Sequence, residues 1–179
     1  MAIANKPRLL VVDDDLGVIA AYRLVLEKAA EHETVKTMFG LDALEAELFE
    51  TAPNQELPLQ WRVEFLDQGR DAVNAVRWAI DDNDPYAAIF LDVRMPPGID
   101  GYEAAQQIRK IDPSVHIVIV TGYSDFTYED FLEIAGPADH LTYMPKPVWP
   151  DQLRKVARIL AGEKSHRSQL SPTGVLRSA

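Results

Sequence analysis

Five times along this chain a short apolar run gives way to a stretch of helical periodicity, and that alternation restricts the fold more than any other feature. The apolar runs are Arg8 to Val12, Trp61 to Leu66, Ala87 to Leu91, His116 to Val120 and His140 to Tyr143. The stretches that follow them run from about Gly17 to Ala30, Asp71 to Asp81, Gly101 to Lys110, Tyr128 to Ala135 and Asp151 to Leu160. Their apolar residues recur at helical spacing: Ala21, Val25, Leu26 and Ala29 in the first, and Val73, Val76 and Ile80 in the second. Such alternation calls for a parallel sheet covered on both faces by helices. Right-handed crossovers make a doubly wound α/β sheet the simplest topology.

The region between the first helix and the second strand, about 31–60, reads as an insertion. It contains an extended-looking piece, Thr34 to Phe39, and a helix candidate from Leu41 to Glu50 with a stripe of Leu41, Leu44 and Leu48. Breaks follow around Thr51-Ala52-Pro53-Asn54-Gln55 and at Pro58. Residues 1–161 therefore form one domain carrying this insertion, and 162–179, polar with Ser, Pro and Gly, form a tail or linker. Trp78 lies opposite the apolar side of its helix, where burial against the insertion is the favoured reading.

The formal charge of −10 disfavours direct binding to nucleic acid or to an anionic membrane. The absence of cysteine removes disulfide and thiolate chemistry and fits a reducing compartment. Apolar runs too short to span a bilayer, and an N-terminus without a secretory pattern, lead to the expectation of a cytoplasmic protein. The four histidines, His32, His116, His140 and His166, lack ligand spacing, so a transition-metal site is not expected.

Two of the strands end in acid: Leu9-Leu10-Val11-Val12 runs into Asp13-Asp14-Asp15, and Ile89-Phe90-Leu91 runs into Asp92. In a sheet of this class all strand C-termini lie on one edge, so Asp13, Asp14, Asp92, Thr121 and Lys146 can converge there. Clustered carboxylates repel unless a cation sits among them, and carboxylate oxygens suit magnesium. Asp92 is then placed to attack phosphorus and form an aspartyl phosphate. Lys146 would neutralise charge on the transferring group, and Thr121 would donate its hydroxyl to a phosphoryl oxygen.

With Val11-Val12-Asp13-Asp14, Leu91-Asp92-Val93-Arg94-Met95-Pro96, Asp100-Gly101, Val120-Thr121-Gly122 and Lys146-Pro147, the chain resembles the receiver domain of two-component response regulators over roughly residues 8–161 apart from the insertion. The resemblance implies a flavodoxin-like strand order 2-1-3-4-5. It implies that Asp92 accepts phosphate from a histidine kinase or phosphotransfer protein, that Asp13 and Asp14 help hold Mg2+, and that the Arg94 backbone carbonyl completes the protein ligands. It implies a switch through Thr121 and Tyr143, a Lys146-Pro147 bond that is often cis, and Arg94 and Tyr123 flanking the path of water to the phosphoryl group. The output is altered contact with an unknown partner or domain. The face it implies for this is the fourth helix, fifth strand and fifth helix, with Tyr128, Tyr143 and Trp149, where a homodimer can also form. The turn Pro96-Pro97-Gly98 is one residue longer than the family's, and the second strand is placed at Trp61 to Leu66 with Thr34 to Phe39 as its rival.

Two other functions compete with a phosphorylation switch. One is a constitutive interaction module with a receiver fold. The other is an aspartate-nucleophile phosphatase resembling the haloacid-dehalogenase family, which needs a carboxylate two residues after its nucleophile, where this chain has Arg94. As a phosphoacceptor rather than an enzyme, the domain would take phosphate from small donors and lose it slowly, because Arg94 and Tyr123 are both bulky.

Overall fold

The computed structural model describes residues 6–39, 61–122 and 127–162. Five parallel strands form one sheet in the order β2-β1-β3-β4-β5, with β1 Arg8–Val12, β2 Arg62–Leu66, β3 Tyr86–Asp92, β4 His116–Thr121 and β5 Leu141–Pro145. The helices are α1 Leu16–Phe39, α2 Gly69–Asp81, α3 Gly101–Ile111, α4 Tyr128–Ala135 and α5 Pro150–Leu160, and a short 3-10 turn, Ala138–His140, leads into β5. This is the doubly wound order expected from the sequence. Among the described residues no helix is long and apolar enough to cross a membrane.

Side chains on a strand alternate between faces, so a strand covered on both sides is apolar throughout. On β1, β3 and β4, Leu10, Val12, Ile89, Leu91, Ile117 and Ile119 pack beneath α2, α3 and α4. The intervening Leu9, Val11, Ala88, Phe90, Val118 and Val120 pack beneath α1 and α5. Two core layers thus sandwich the sheet, which explains why the central strands read as continuous apolar runs.

Four features depart from the sequence reading. Helix α1 does not stop near Ala30 but continues to Phe39, so the rival strand at Thr34 to Phe39 is helical. No Gly or Pro interrupts the chain between Gly17 and Gly40, and a nucleated helix propagates through Thr34 and Val35 despite their preference for extended backbone. The buried stripe of α1 is Tyr22 and Leu26 with Val18 and Val25 beside them, whereas Ala21 is exposed. Strand β5 starts one residue later and ends two residues later than the expected span, because His140 belongs to the 3-10 turn and the ladder to β4 runs from Ile117↔Leu141 to Thr121↔Pro145. A proline at the end of an edge strand is tolerated, since its missing N–H breaks no ladder bond on the open side. Trp78, finally, is 65% exposed rather than buried. The candidate helix Leu41 to Glu50, the breaks after it and the tail beyond 162 lie outside the described residues.

Candidate functional site

The alternation that builds the two layers also aims the acids. Val12 pairs with Leu91 across the β1–β3 ladder, and both face the α2–α4 side, so the next residue on each strand turns to the α1–α5 side. Those next residues are Asp13 and Asp92, 2% and 6% exposed. Lys146 lies just past the end of β5, where its backbone N–H donates to the Thr121 carbonyl at 2.9 Å. From there its ammonium reaches Asp13 Oδ2 at 2.7 Å and Asp92 Oδ1 at 2.8 Å.

The other oxygens of these acids are also held. The Asp15 N–H donates to Asp13 Oδ1 at 3.0 Å, and the Arg94 N–H donates to Asp92 Oδ2 at 3.0 Å. Asp14, half-buried, completes a trio in which one carboxylate oxygen from each of Asp13, Asp14 and Asp92 lies within 4.8 Å of the others. Three carboxylates against one ammonium leave two negative charges in a largely water-excluded rim. Oxygen donors with that surplus fit a hard divalent cation.

Burial raises the pKa of Asp92, and the Asp13 charge adds to this, while Lys146 and the Arg94 N–H oppose it. For Lys146, burial alone would lower the pKa, but the hydrogen bonds and charges of Asp13 and Asp92 outweigh it and the net shift is upward.

Thr121 ends β4 one residue past Val120, the partner of Asp92, so strand alternation puts it on the α4 side at the same rim, and it is 3% exposed. Tyr143, half-buried on the same α4 side, is the β5 partner of Ile119, two residues before Thr121 on β4. The two switch candidates therefore share one face on adjacent strands. Tyr128, half-buried, begins α4, and Trp149, 70% exposed, caps α5. The Arg94 side chain is exposed at the rim, whereas Tyr123 lies outside the described residues.

Two residues of the site environment escaped the sequence reading. The Tyr22 ring packs in the α1–α5 layer, and burial pushes its phenol up to about 12, with Lys146 lowering it and Asp13 and Asp92 raising it. The signal was present as the helical spacing Val18, Tyr22, Val25, Leu26. Gly101, noted only as part of a motif, opens α3 directly behind Asp92: its N–H donates to the Val93 carbonyl at 2.7 Å, and a Cβ there would sit 2.1 Å from the Asp92 carbonyl oxygen. Asp100 caps this helix by accepting the Glu103 N–H at 2.8 Å. The cis peptide at Lys146-Pro147 agrees with the resemblance, and a second cis bond joins Pro96 and Pro97 in the longer turn.

A doubly wound sheet with acids at its carboxyl rim defines the class, and comparison with known proteins defines the family. A family model for the response regulator receiver domain matches residues 57–158. Accessory gene regulator protein A of Staphylococcus epidermidis is 33% identical over 75 residues, covering 35% of this chain and 32% of that protein, so the match spans about a third of the relative's length. Sporulation initiation phosphotransferase F of Bacillus subtilis is 21% identical over 151 residues, covering 84% of this chain and 90% of that protein.

Among solved structures, a CheY-like receiver domain protein from Methanospirillum hungatei superposes with a TM-score of 0.58 at 21% identity, covering 93% of this chain and all of that one. The CheX–CheY–BeF3–Mg2+ complex from Borrelia burgdorferi gives 0.57 at 14% identity, covering 87% and 90%. The chain belongs to the response regulator receiver domain family. The family-model match begins near the end of the insertion, so β1 with Asp13 and Asp14 lies before it and joins the family pattern through its place in the sheet.

Proposed function

We propose that this chain is a phosphorylation-controlled receiver switch of a two-component phosphorelay, with Asp92 as the phosphoacceptor. The observation that supports this most is the Asp13–Lys146–Asp92 bridge inside a trio of carboxylates. A carboxylate oxygen of Asp92 attacks the phosphorus of a phosphohistidine on a histidine kinase or phosphotransfer protein, the P–N bond breaks, and the histidine leaves with its electron pair. Lys146 faces the charge that develops on the transferring group. Mg2+, held by Asp13, Asp14, Asp92 and the Arg94 backbone carbonyl, supplies further neutralisation of phosphoryl oxygens when bound. Thr121 donates to the acyl phosphate, and Tyr143, one strand away on the same face, carries the change to the surface.

The α4–β5–α5 face supports a partner role. Its α4 carries Glu129, Asp130 and Glu133, and its α5 carries Arg154, Lys155 and Arg158, so two copies facing each other across a twofold axis would bring acidic α4 against basic α5. Arg94 and Tyr123 slow the approach of water, giving a long-lived phosphate. The acidic chain acts in the cytoplasm through protein contacts and not by touching nucleic acid. The phosphatase reading is disfavoured because Arg94 stands where that chemistry needs a carboxylic acid.

The test follows one sample by mass and by sedimentation after incubation with an acyl phosphate and magnesium. A gain of one phosphoryl group together with a shift toward dimer supports the switch. Modification without any change in assembly or partner binding favours the constitutive module, and an unmodified chain removes the acceptor assignment.

A further inference from the structure

Arg109, near the end of α3, spends its guanidinium on backbone carbonyls of three separate segments. Its Nε donates to the carbonyl of Ala135, the last residue of α4, at 2.9 Å. One terminal nitrogen donates to the carbonyls of Asp112, Pro113 and Val115 in the α3–β4 loop at 3.3, 2.9 and 2.8 Å. The other donates to the carbonyl of His140, which leads into β5, at 3.1 Å. The end of α4, the α3–β4 loop and the entry to β5 are thereby gathered on one planar cation, whose rigid fork suits such convergence. Helix α4 is about 12 Å long by its residue count, with Ala135 at the end remote from the phosphoacceptor rim. Its other end begins at Thr127, whose hydroxyl and backbone form a reciprocal cap with Asp130 and which follows directly on the loop after Thr121.

We propose that Arg109 is the pivot of the switch: it fixes the lower end of α4 and the entry to β5, so that a displacement begun at Thr121 tilts the rim end of α4 and reaches Tyr143 instead of moving the helix as a unit. This rests on the phosphoacceptor reading of Asp92 and adds where the response stops. Arg109 is a positioning residue, not a catalytic one. Burial lowers the pKa of its guanidinium and the charges of Asp112 and Asp139 oppose this, so the group stays cationic and all five bonds remain charge-assisted.

The experiment measures amide hydrogen exchange along the full chain with and without beryllium fluoride and magnesium, for the wild type, Arg109→Gln and Arg109→Lys. In the wild type, exchange should change by roughly tenfold around Asp92, Tyr128 to Phe131 and Tyr143, while Ala135 to His140 changes by less than about twofold. In either variant the fluoride-dependent change should spread into Ala135 to Leu141. A merely structural staple would raise exchange there equally with and without the fluoride. A wild-type change running undiminished through Ala135 to His140, or variants whose response stays confined as in the wild type, overturns the pivot alone. No fluoride-dependent change anywhere overturns the pivot together with the phosphoacceptor reading, and Arg109→Lys, which keeps the charge but not the planar fork, carries the test if Arg109→Gln fails to fold.

Discussion

At Asp92 two requirements oppose each other on the proposed reading, since a nucleophile must be ionised whereas burial favours the protonated form of this carboxyl. A carboxyl whose folded pKa is raised binds its proton more tightly in the native state. Its contribution to stability therefore falls as pH rises from the ordinary 3.8 through the folded value. At neutral pH the charge is a cost, partly offset by Lys146. Asp92→Asn is therefore expected to stabilise the cation-free protein by roughly 0.5–2 kcal/mol at pH 7, with the gain shrinking toward pH 4, as thermal unfolding across that range would record. A destabilised variant at pH 7 would mean that Lys146 overcompensates burial. Gly101 sets a different limit, because a methyl group there cannot coexist with the Asp92 carbonyl in its present place. Gly101→Ala should cost about 3 kcal/mol in urea unfolding and slow phosphorylation through displacement of the acceptor strand.

At the scale of elements, the question is how β2 finds its place after a long excursion from α1. The first residues after that excursion are tied on both sides of the strand. Trp61 donates its indole N–H to the Leu26 carbonyl on α1 at 3.1 Å, and Arg62 grips Asp84 at 2.7 Å, while Arg8 reaches Glu64 at 2.9 Å and Asp84 at 3.3 Å. Asp84 thus serves two arginines on neighbouring strands. Asp84→Ala should cost about 1 kcal/mol at low salt, the modest value reflecting partial exposure, and less at high salt, where screening weakens both pairs. An effect independent of salt would point to packing instead.

The strands were readable because burial on both faces leaves a run of apolar residues, and the helices with clean stripes were readable for the same reason. The end of α1 was not, because Thr34 and Val35 mimic a strand while nothing nearby breaks the helix. The bounds of strand β5 were missed by one residue at its start and two at its end because they are fixed by the Arg109 bond to His140 and by pairing with β4, neither of which is a local property. The acids at the rim were legible from strand ends alone. Their pairing through Lys146 required the fold, as did the sharing of one face by Thr121 and Tyr143.

For the whole molecule, the proposed function predicts two observable outputs, binding of a divalent cation and assembly. A cation that binds only the folded state stabilises it by mass action. Magnesium at ten times its dissociation constant should add about 1.4 kcal/mol and raise the melting temperature by about 3–6 °C, and Asp13→Asn should abolish that response. Equal stabilisation of the variant would place the cation elsewhere. Charge reversal at Glu133 with Lys should weaken the proposed phosphorylation-dependent dimerisation by about tenfold, and a compensating Lys155→Glu should restore part of it, read by sedimentation.

The most direct test is to locate the phosphoryl group itself. The protein is incubated with an acyl phosphate and magnesium, the acyl phosphate on the protein is trapped by reduction, and the modified residue is mapped by mass spectrometry in the wild type and in Asp92→Asn. The expected result is a single modification at Asp92, lost when magnesium is chelated and absent from the variant. Label on another residue, or label undiminished in Asp92→Asn, would contradict the assignment of Asp92 as the phosphoacceptor.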